Sequence, residues 1–367
     1  MDISQYTRMP LKLLHNRVRR PFCGGYLLDK WQGLEKFVDG YRPEEWVASL
    51  VEARNPEPID GEGLSRLMFD DGTVLFLKDL IEKDPVGFLG KKHVEKHGAN
   101  PALLVKVLDS YTRLLIQVHP NKQKAEELFQ SPYGKTEAWY VLGGRSVNGE
   151  EPYVFLGFKP GVSKEKWQAL FEEQDVKGME EALNKITVKP GDVFLVQGGV
   201  PHAAGSGLFF LEIQEPTDYT IRTERKNMAG DPLTDMQLHQ GLNFDKMFDC
   251  FDYEGFTQNE ILQKWYLKPE VLSESIDGRE LSLINSTHTS VFSMTKLEIR
   301  GRYKQSTGKS FCVAVVVGGA GKLIWNNNSE MKVQQGDEFF IPTGIEVMEW
   351  KVDAGKQLDI VFCYPPT

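Results

Sequence analysis

The sequence predicts a mainly β protein built from two related β-barrels, with a helical region and helical insertions. Three observations predict it. Short β-branched and aromatic runs are separated by Gly, Pro and charged turns, one turn-bearing segment occurs twice at the same spacing, and 367 residues are too many for one small barrel.

The short runs are Leu114 to Val118, Ala138 to Leu142, Tyr153 to Leu156, Val193 to Val196 and Leu208 to Ile213. Each has the length and composition of a strand. Ahead of them, residues 44–109 read as a helical region, with Gly61 to Ser65 leading into a helix and Ala102 to Asp109 showing apolar positions at helical spacing. Residues 1–43 are assigned to the N-terminal part of the first barrel and 110–230 to its body. A helical insertion at about 163–185 is marked by the apolar faces of Trp167, Leu170, Phe171, Met179, Ala182 and Leu183. Residues 231–280 read as helix and connection, and 281–367 as an all-β C-terminal barrel.

The repeat sharpens this reading. The chain runs Gly191-Asp-Val-Phe-Leu-Val-Gln197-Gly-Gly199-Val-Pro-His202 and later Gly336-Asp-Glu-Phe-Phe-Ile-Pro342-Thr-Gly344-Ile-Glu-Val347. Upstream of each copy stands a run ending in paired glycines, Gly143-Gly144 and Gly318-Gly319. Gly, five residues, usually Pro, one residue, Gly, two residues, His is the cupin spacing, so a double-cupin is expected. The first copy keeps the histidine. The second has Val347 in that place and Cys312 opposite the position of Glu137, so it is expected to be a degenerate barrel without metal ligands.

Composition narrows the function classes. A formal net charge of -9 leaves no basic footprint for nucleic acid. Cys23, Cys250, Cys312 and Cys363 are scattered without a CxxC pair, which suggests reduced thiols rather than a disulfide framework. The first 20 residues carry charge throughout, and no stretch approaches the roughly 18 apolar residues of a membrane span. A cytoplasmic protein with no membrane partner is expected.

Gln117 and His119 are two apart in a β-rich run and therefore share a face. Glu137 opens the next strand after a helix-like excursion from Asn121 to Phe129, and His202 comes from the repeated turn. Two imidazoles, a carboxylate and an amide oxygen from three strand ends make a nitrogen/oxygen site suited to zinc, and also to manganese, cobalt, nickel or iron. By contrast His93 and His97, four apart in a highly charged run, read as a solvated helix face, and His15, His239 and His288 have no partners legible in the sequence.

The segments Leu-Ile-Gln117-Val-His119-Pro-Asn-Lys, Gly-Lys135-Thr-Glu137-Ala-Trp-Tyr, Val-Pro-His202-Ala and Leu-Glu212-Ile-Gln-Glu-Pro-Thr-Asp218-Tyr-Thr-Ile-Arg222 resemble the type I phosphomannose isomerases, in length their shorter bacterial branch. The resemblance covers most of residues 10–225. It implies one zinc ion per chain on Gln117, His119, Glu137 and His202, and conversion of mannose 6-phosphate to fructose 6-phosphate through an enediolate. It also places active-site lysines at Lys106 and Lys135, an arginine at Arg222, and acidic positions at Glu212 and Asp218. The chain departs from the family at Leu114-Leu115, where Leu-Ser is common, at Glu44-Glu-Trp46-Val47-Ala-Ser49, where one acidic residue is lost, and after Arg222. These departures leave another sugar phosphate, or a non-catalytic sugar-sensing cupin that keeps the metal, as competing expectations. A metal-dependent dioxygenase would share the barrel.

Overall fold

The computed structural model describes residues 3–69, 71–308, 310–326 and 329–366. Among them, the first barrel is a seven-stranded sheet facing a five-stranded one. The larger sheet runs in the order Tyr266–Leu267, Val193–Val196, Glu137–Gly144, Leu208–Gln214, Leu104–Ser110, Glu44–Val47, Arg17–Val18. The smaller runs Leu183–Thr187, Tyr153–Phe158, His202–Ala204, Gln117–Val118, Ile221–Arg222. A ten-stranded antiparallel sheet centred on the long strand Cys312–Trp325 makes the second barrel. No helix among the described residues is long and apolar enough to cross a membrane.

Strand periodicity divides the side chains between two cores. From the larger sheet, Trp139, Val141, Phe194, Val196, Phe210 and Leu108 turn into the first barrel. Their neighbours Ala138, Tyr140, Val193, Leu195, Leu211, Ile213, Val105 and Val107 turn outward and meet Val313, Val315, Phe340, Val361 and Cys363 of the second barrel. The barrels thus pack back to back, and each buried side chain of Val, Leu or Phe size contributes about 1.5–3 kcal/mol to that seam.

The duplication inferred from spacing is present as hydrogen-bond register. Val196 pairs with Glu137 in the first barrel, and Ile341 pairs with Cys312 in the second. Leu208 pairs with Gly144, and Leu358 with Gly319. Cys312, Phe339, Phe362, Met348 and Trp350 fill the second interior. Val347, in the histidine's place, is 53% exposed.

Several expectations are corrected. Residues 44–109 are helical only from Leu77 to His97, and both ends of that region are strands, Glu44–Val47 and Leu104–Ser110. All seven residues of Leu104–Ser110 are buried, so the polar/apolar alternation that marks a strand is erased and its apolar run mimics a helix. Gly61 to Ser65 leads into the hairpin of Arg66–Met68 and Val74–Phe76, not a helix. The N-terminus is shared: Arg17–Val18 joins the first barrel, but Leu11 pairs with Phe340 of the second. Strands resume at Tyr266–Leu267 and Glu270–Ser275, earlier than residue 281.

The helix Lys91–His97 does not leave its histidines freely solvated, since both are half-buried. The His93 ring stands edge-on to Phe311 with centroids 5.0 Å apart, and His97 Nδ1 lies 3.1 Å from the Tyr133 hydroxyl. The shared helical face packs between the two barrels.

Candidate metal centre and the cleft beside it

Gln117, His119, Glu137 and His202 are delivered by neighbouring strand ends. His202 pairs in register with Gln117, and Gln117 in turn with Arg222. The backbone between them is compressed. Lys135 N–H donates to the Pro120 carbonyl at 3.0 Å, and Gly199 N–H to the His119 carbonyl at 2.7 Å. Gly134 and Gly198 flank this stretch so tightly that an added Cβ would lie 2.8 Å from Lys122 N and 2.6 Å from Asn121 Cα, respectively.

Each histidine is oriented by a carbonyl. His119 Nδ1 lies 2.8 Å from the Tyr219 oxygen and His202 Nδ1 2.9 Å from that of Val200. A carbonyl only accepts, so Nδ1 carries the hydrogen and Nε2 keeps its lone pair for a cation. Burial, reinforced by Lys135, pushes His119 down to about 3, and burial also lowers His202, so both rings are neutral.

The Nε2 atoms converge on Glu137. His119 Nε2 is 3.1 Å from Oε2 and His202 Nε2 3.4 Å from Oε1. Ligand atoms of all three residues lie within 4.8 Å of one another. Trp139 Nε1–H donates to Oε1 at 3.0 Å, but buried Oε2 accepts no hydrogen bond from the described residues. Burial alone would raise this carboxyl, yet the charge of Lys135 beside it holds it well below the usual range. The Gln117 amide end sits 3.5 and 3.3 Å from the two Nε2 atoms, and turning the amide over presents its oxygen there. A pair of lone-pair nitrogens and an unsatisfied carboxylate oxygen facing one point fit a divalent cation.

A cleft opens beside this cluster, lined by Arg20, Lys106, Leu115, Gln117, Lys135, Glu212, Asp218 and Arg222, among others. Lys135 Nζ lies 2.8 Å from His119 Nε2 and 3.4 Å from Glu137 Oε2, and burial lowers its pKa despite the carboxylate. Lys106 Nζ lies 3.3 Å from Glu212 Oε1 and 3.9 Å from Glu44 Oε2. Burial, with the Glu137 charge, pushes Glu212 up to about 7. Arg222 donates to the carbonyl of Gln237 at 2.8 Å, and burial together with nearby Arg20 pulls it down to about 10. All nine residues singled out in the sequence therefore meet at one place.

Arg20, Glu44 and Trp46 complete the cleft's charge network. Arg20 bridges Glu44 at 2.9 Å and Asp218 at 3.0 Å and lies over the Trp46 ring at 4.9 Å, while Trp46 Nε1–H donates to Glu44 at 2.7 Å. Arg20 went unnoticed because its partners Glu44 and Asp218 lie 24 and 198 positions away in sequence. The run Glu44-Glu45-Trp46 carried the only usable signal, two acids beside a tryptophan on a segment that is wholly buried.

The description "Phosphomannose isomerase type I, catalytic domain" matches residues 65–137. The chain is 28% identical over 240 residues to a probable mannose-6-phosphate isomerase of Bacillus subtilis, covering 65% of this chain and 69% of that one. It is 26% identical over 310 residues to the mannose-6-phosphate isomerase of Streptococcus mutans, covering 83% and 88%. Among solved structures, the mannose 6-phosphate isomerase of Bacillus subtilis superposes with a TM-score of 0.73 at 22% identity, over 97% of this chain and 99% of that one.

Proposed function

We propose, from the premise that this chain belongs to the type I phosphomannose isomerase family, that it interconverts mannose 6-phosphate and fructose 6-phosphate as a metal-dependent aldose-ketose isomerase. The observation that carries the reading is the pairing of two neutral imidazoles and the Glu137 carboxylate, converging on one point, with a cation-lined cleft beside them.

In this reading Gln117, His119, Glu137 and His202 hold one zinc ion. A divalent ion there would polarise the sugar's oxygens and offset the negative charge of an enediolate. The remaining work belongs to the cleft. Arg222, half-buried and bonded to backbone carbonyls, keeps a positive charge free for the phosphate. Lys135 reaches toward the ligand cluster and compensates charge that develops on the sugar oxygens. Glu212 is the group suited to carry a proton between C1 and C2, because its carboxyl titrates near neutrality and stands beside Lys106. Lys106 and Asp218, through Glu44 and Arg20, fix the charges around it.

A cytoplasmic place fits a sugar-phosphate substrate and four unpaired cysteines. The test is a coupled isomerase assay with mannose 6-phosphate and other aldose phosphates, before and after treatment with a chelator. Turnover of mannose 6-phosphate that is lost on chelation and returns with zinc is expected. Metal binding without turnover of any sugar phosphate would overturn the assignment.

A further inference from the structure

We infer that Arg113 and Glu224 are a positioning pair, which fixes the strand bearing Gln117 and His119 and thereby helps set metal affinity without touching the metal. The inference rests on the metal reading above.

Glu224 is 1% exposed and Arg113 4%. Glu224 Oε1 accepts from Arg113 Nη1 at 2.8 Å and from the Ile116 backbone N–H at 2.7 Å, while Oε2 accepts from Arg113 Nη2 at 2.9 Å. Arg113 Nη1 also donates to the Leu114 carbonyl at 2.7 Å, and its Nε lies 3.0 Å from Glu180 on the helix Val176–Glu181. One carboxylate thus grips the backbone next to Gln117 and the guanidinium four residues before it.

The strand needs that grip. Gln117–Val118 is two residues long, and its ladder to Ile221–Arg222 consists of the pairs Val118 with Ile221 and Gln117 with Arg222. Thr223 N–H extends it by donating to the Ile116 carbonyl at 3.1 Å. The Ile116 N–H is then met by Glu224, a side chain in place of a backbone acceptor. A bidentate guanidinium–carboxylate pair is directional as well as strong, so it fixes where that acceptor oxygen stands. As a buried ion pair it contributes little net stability, which leaves register as its main product. Glu224 lies two residues beyond Arg222, so the same contact ties the arginine's strand to the ligand strand.

The test measures zinc affinity of the metal-stripped full chain by competition with a chromogenic chelator, alongside thermal melts of the metal-free proteins. E224A is expected to weaken zinc about tenfold or more, the loss typical of residues that orient ligands. E224Q retains an acceptor for Ile116 and should stay within about threefold of the parent. E180Q removes only the outer, more exposed partner of Arg113 and should leave zinc affinity as in the parent. If E224A does not fold, R113K, which cannot span both carboxylate oxygens, is expected to weaken zinc several-fold. A folded E224A or R113K with parental zinc affinity overturns the inference, as does an E224Q no better than E224A. A parent that binds no zinc overturns the metal reading itself.

Discussion

Lys106 and Glu212 stand directly opposite each other on adjacent antiparallel strands, with Nζ 3.3 Å from Oε1. The contact is ionic rather than an aligned hydrogen bond, and Oε1 is buried without a donor among the described residues. Glu212 is raised to about 7 by burial and Glu137, with Lys106 and Lys135 pulling the other way. Removing the Lys106 charge must therefore raise it further. K106M should move the acid limb of the kcat/KM profile to higher pH, because the ionised carboxylate then forms only at higher pH. An unmoved limb would mean that Glu212 is not the titrating base.

Arg222 and Lys135 should separate catalysis from metal binding. R222M or K135M is expected to lower kcat/KM by about two orders of magnitude or more, through lost charge stabilisation. Zinc content should hold, and in K135M zinc should bind as tightly or more tightly, since a cation 2.8 Å from His119 Nε2 has been removed. Zinc lost in step with activity would reassign either residue to the ligand set.

Metal stoichiometry tests the loss of function in the second barrel. Elemental analysis should find about one divalent ion per chain, the complement of a single open site. H202A should abolish tight binding and V347A should not affect it, Val347 being half-exposed on a barrel whose interior is apolar. Two ions per chain would contradict this.

Leu115 lines the cleft with Lys106 and Arg222, at the position where the family resemblance expects a hydroxyl. Arg113 offers no compensation, because Glu224 and Glu180 occupy its guanidinium. L115S should raise kcat/KM for mannose 6-phosphate several-fold, the equivalent of one regained hydrogen bond of about 0.5–1.5 kcal/mol. It should also cost about 2 kcal/mol or more in stability for the lost buried side chain. An unchanged kcat/KM in a folded variant would make Leu115 a packing residue only.

At the seam between the barrels, Glu338 is 1% exposed and neither of its carboxylate oxygens accepts a hydrogen bond from the described residues. Burial holds its pKa well above the usual range, Glu45 and Asp337 add to this, and Arg17 opposes it. The folded protein therefore keeps a proton that the unfolded chain releases above about pH 4.3. Stability must fall as pH rises from there toward the folded pKa. E338Q cannot ionise and should melt higher than the parent at pH 8, with the difference vanishing near pH 4. Equal melting temperatures at both pH values would refute the burial of a protonated acid.

The convergence of Gln117, His119, Glu137 and His202 was legible because they lie in short local patterns, a Gln-x-His on one strand face, a Glu at the start of the next strand and a glycine-spaced turn ending in His202. Register then bears out the repeat through Glu137 with Val196 and Cys312 with Ile341. What escaped was non-local. Arg20 meets Asp218 across 198 positions of sequence, and Leu11 crosses to Phe340 of the other barrel. Leu104–Ser110 was misread as helix because burial on both faces hides a period of two. His93 and His97 were misread because charged neighbours on a short helix conceal its one packed face.

The cramped backbone at Pro120 and Asn121 has a consequence for how this protein tolerates change. The centre is guarded on two sides by residues with no side chains. At Gly198 a single methyl group would arrive 2.6 Å from Asn121 Cα, and at Gly134 it would arrive 2.8 Å from Lys122 N, where only main chain is available to retreat. Displacing that main chain would drag His119 on one side and Lys135 on the other. The two positions with the least chemistry are thus among those with the least freedom to vary, and an alanine scan restricted to functional groups would pass over both.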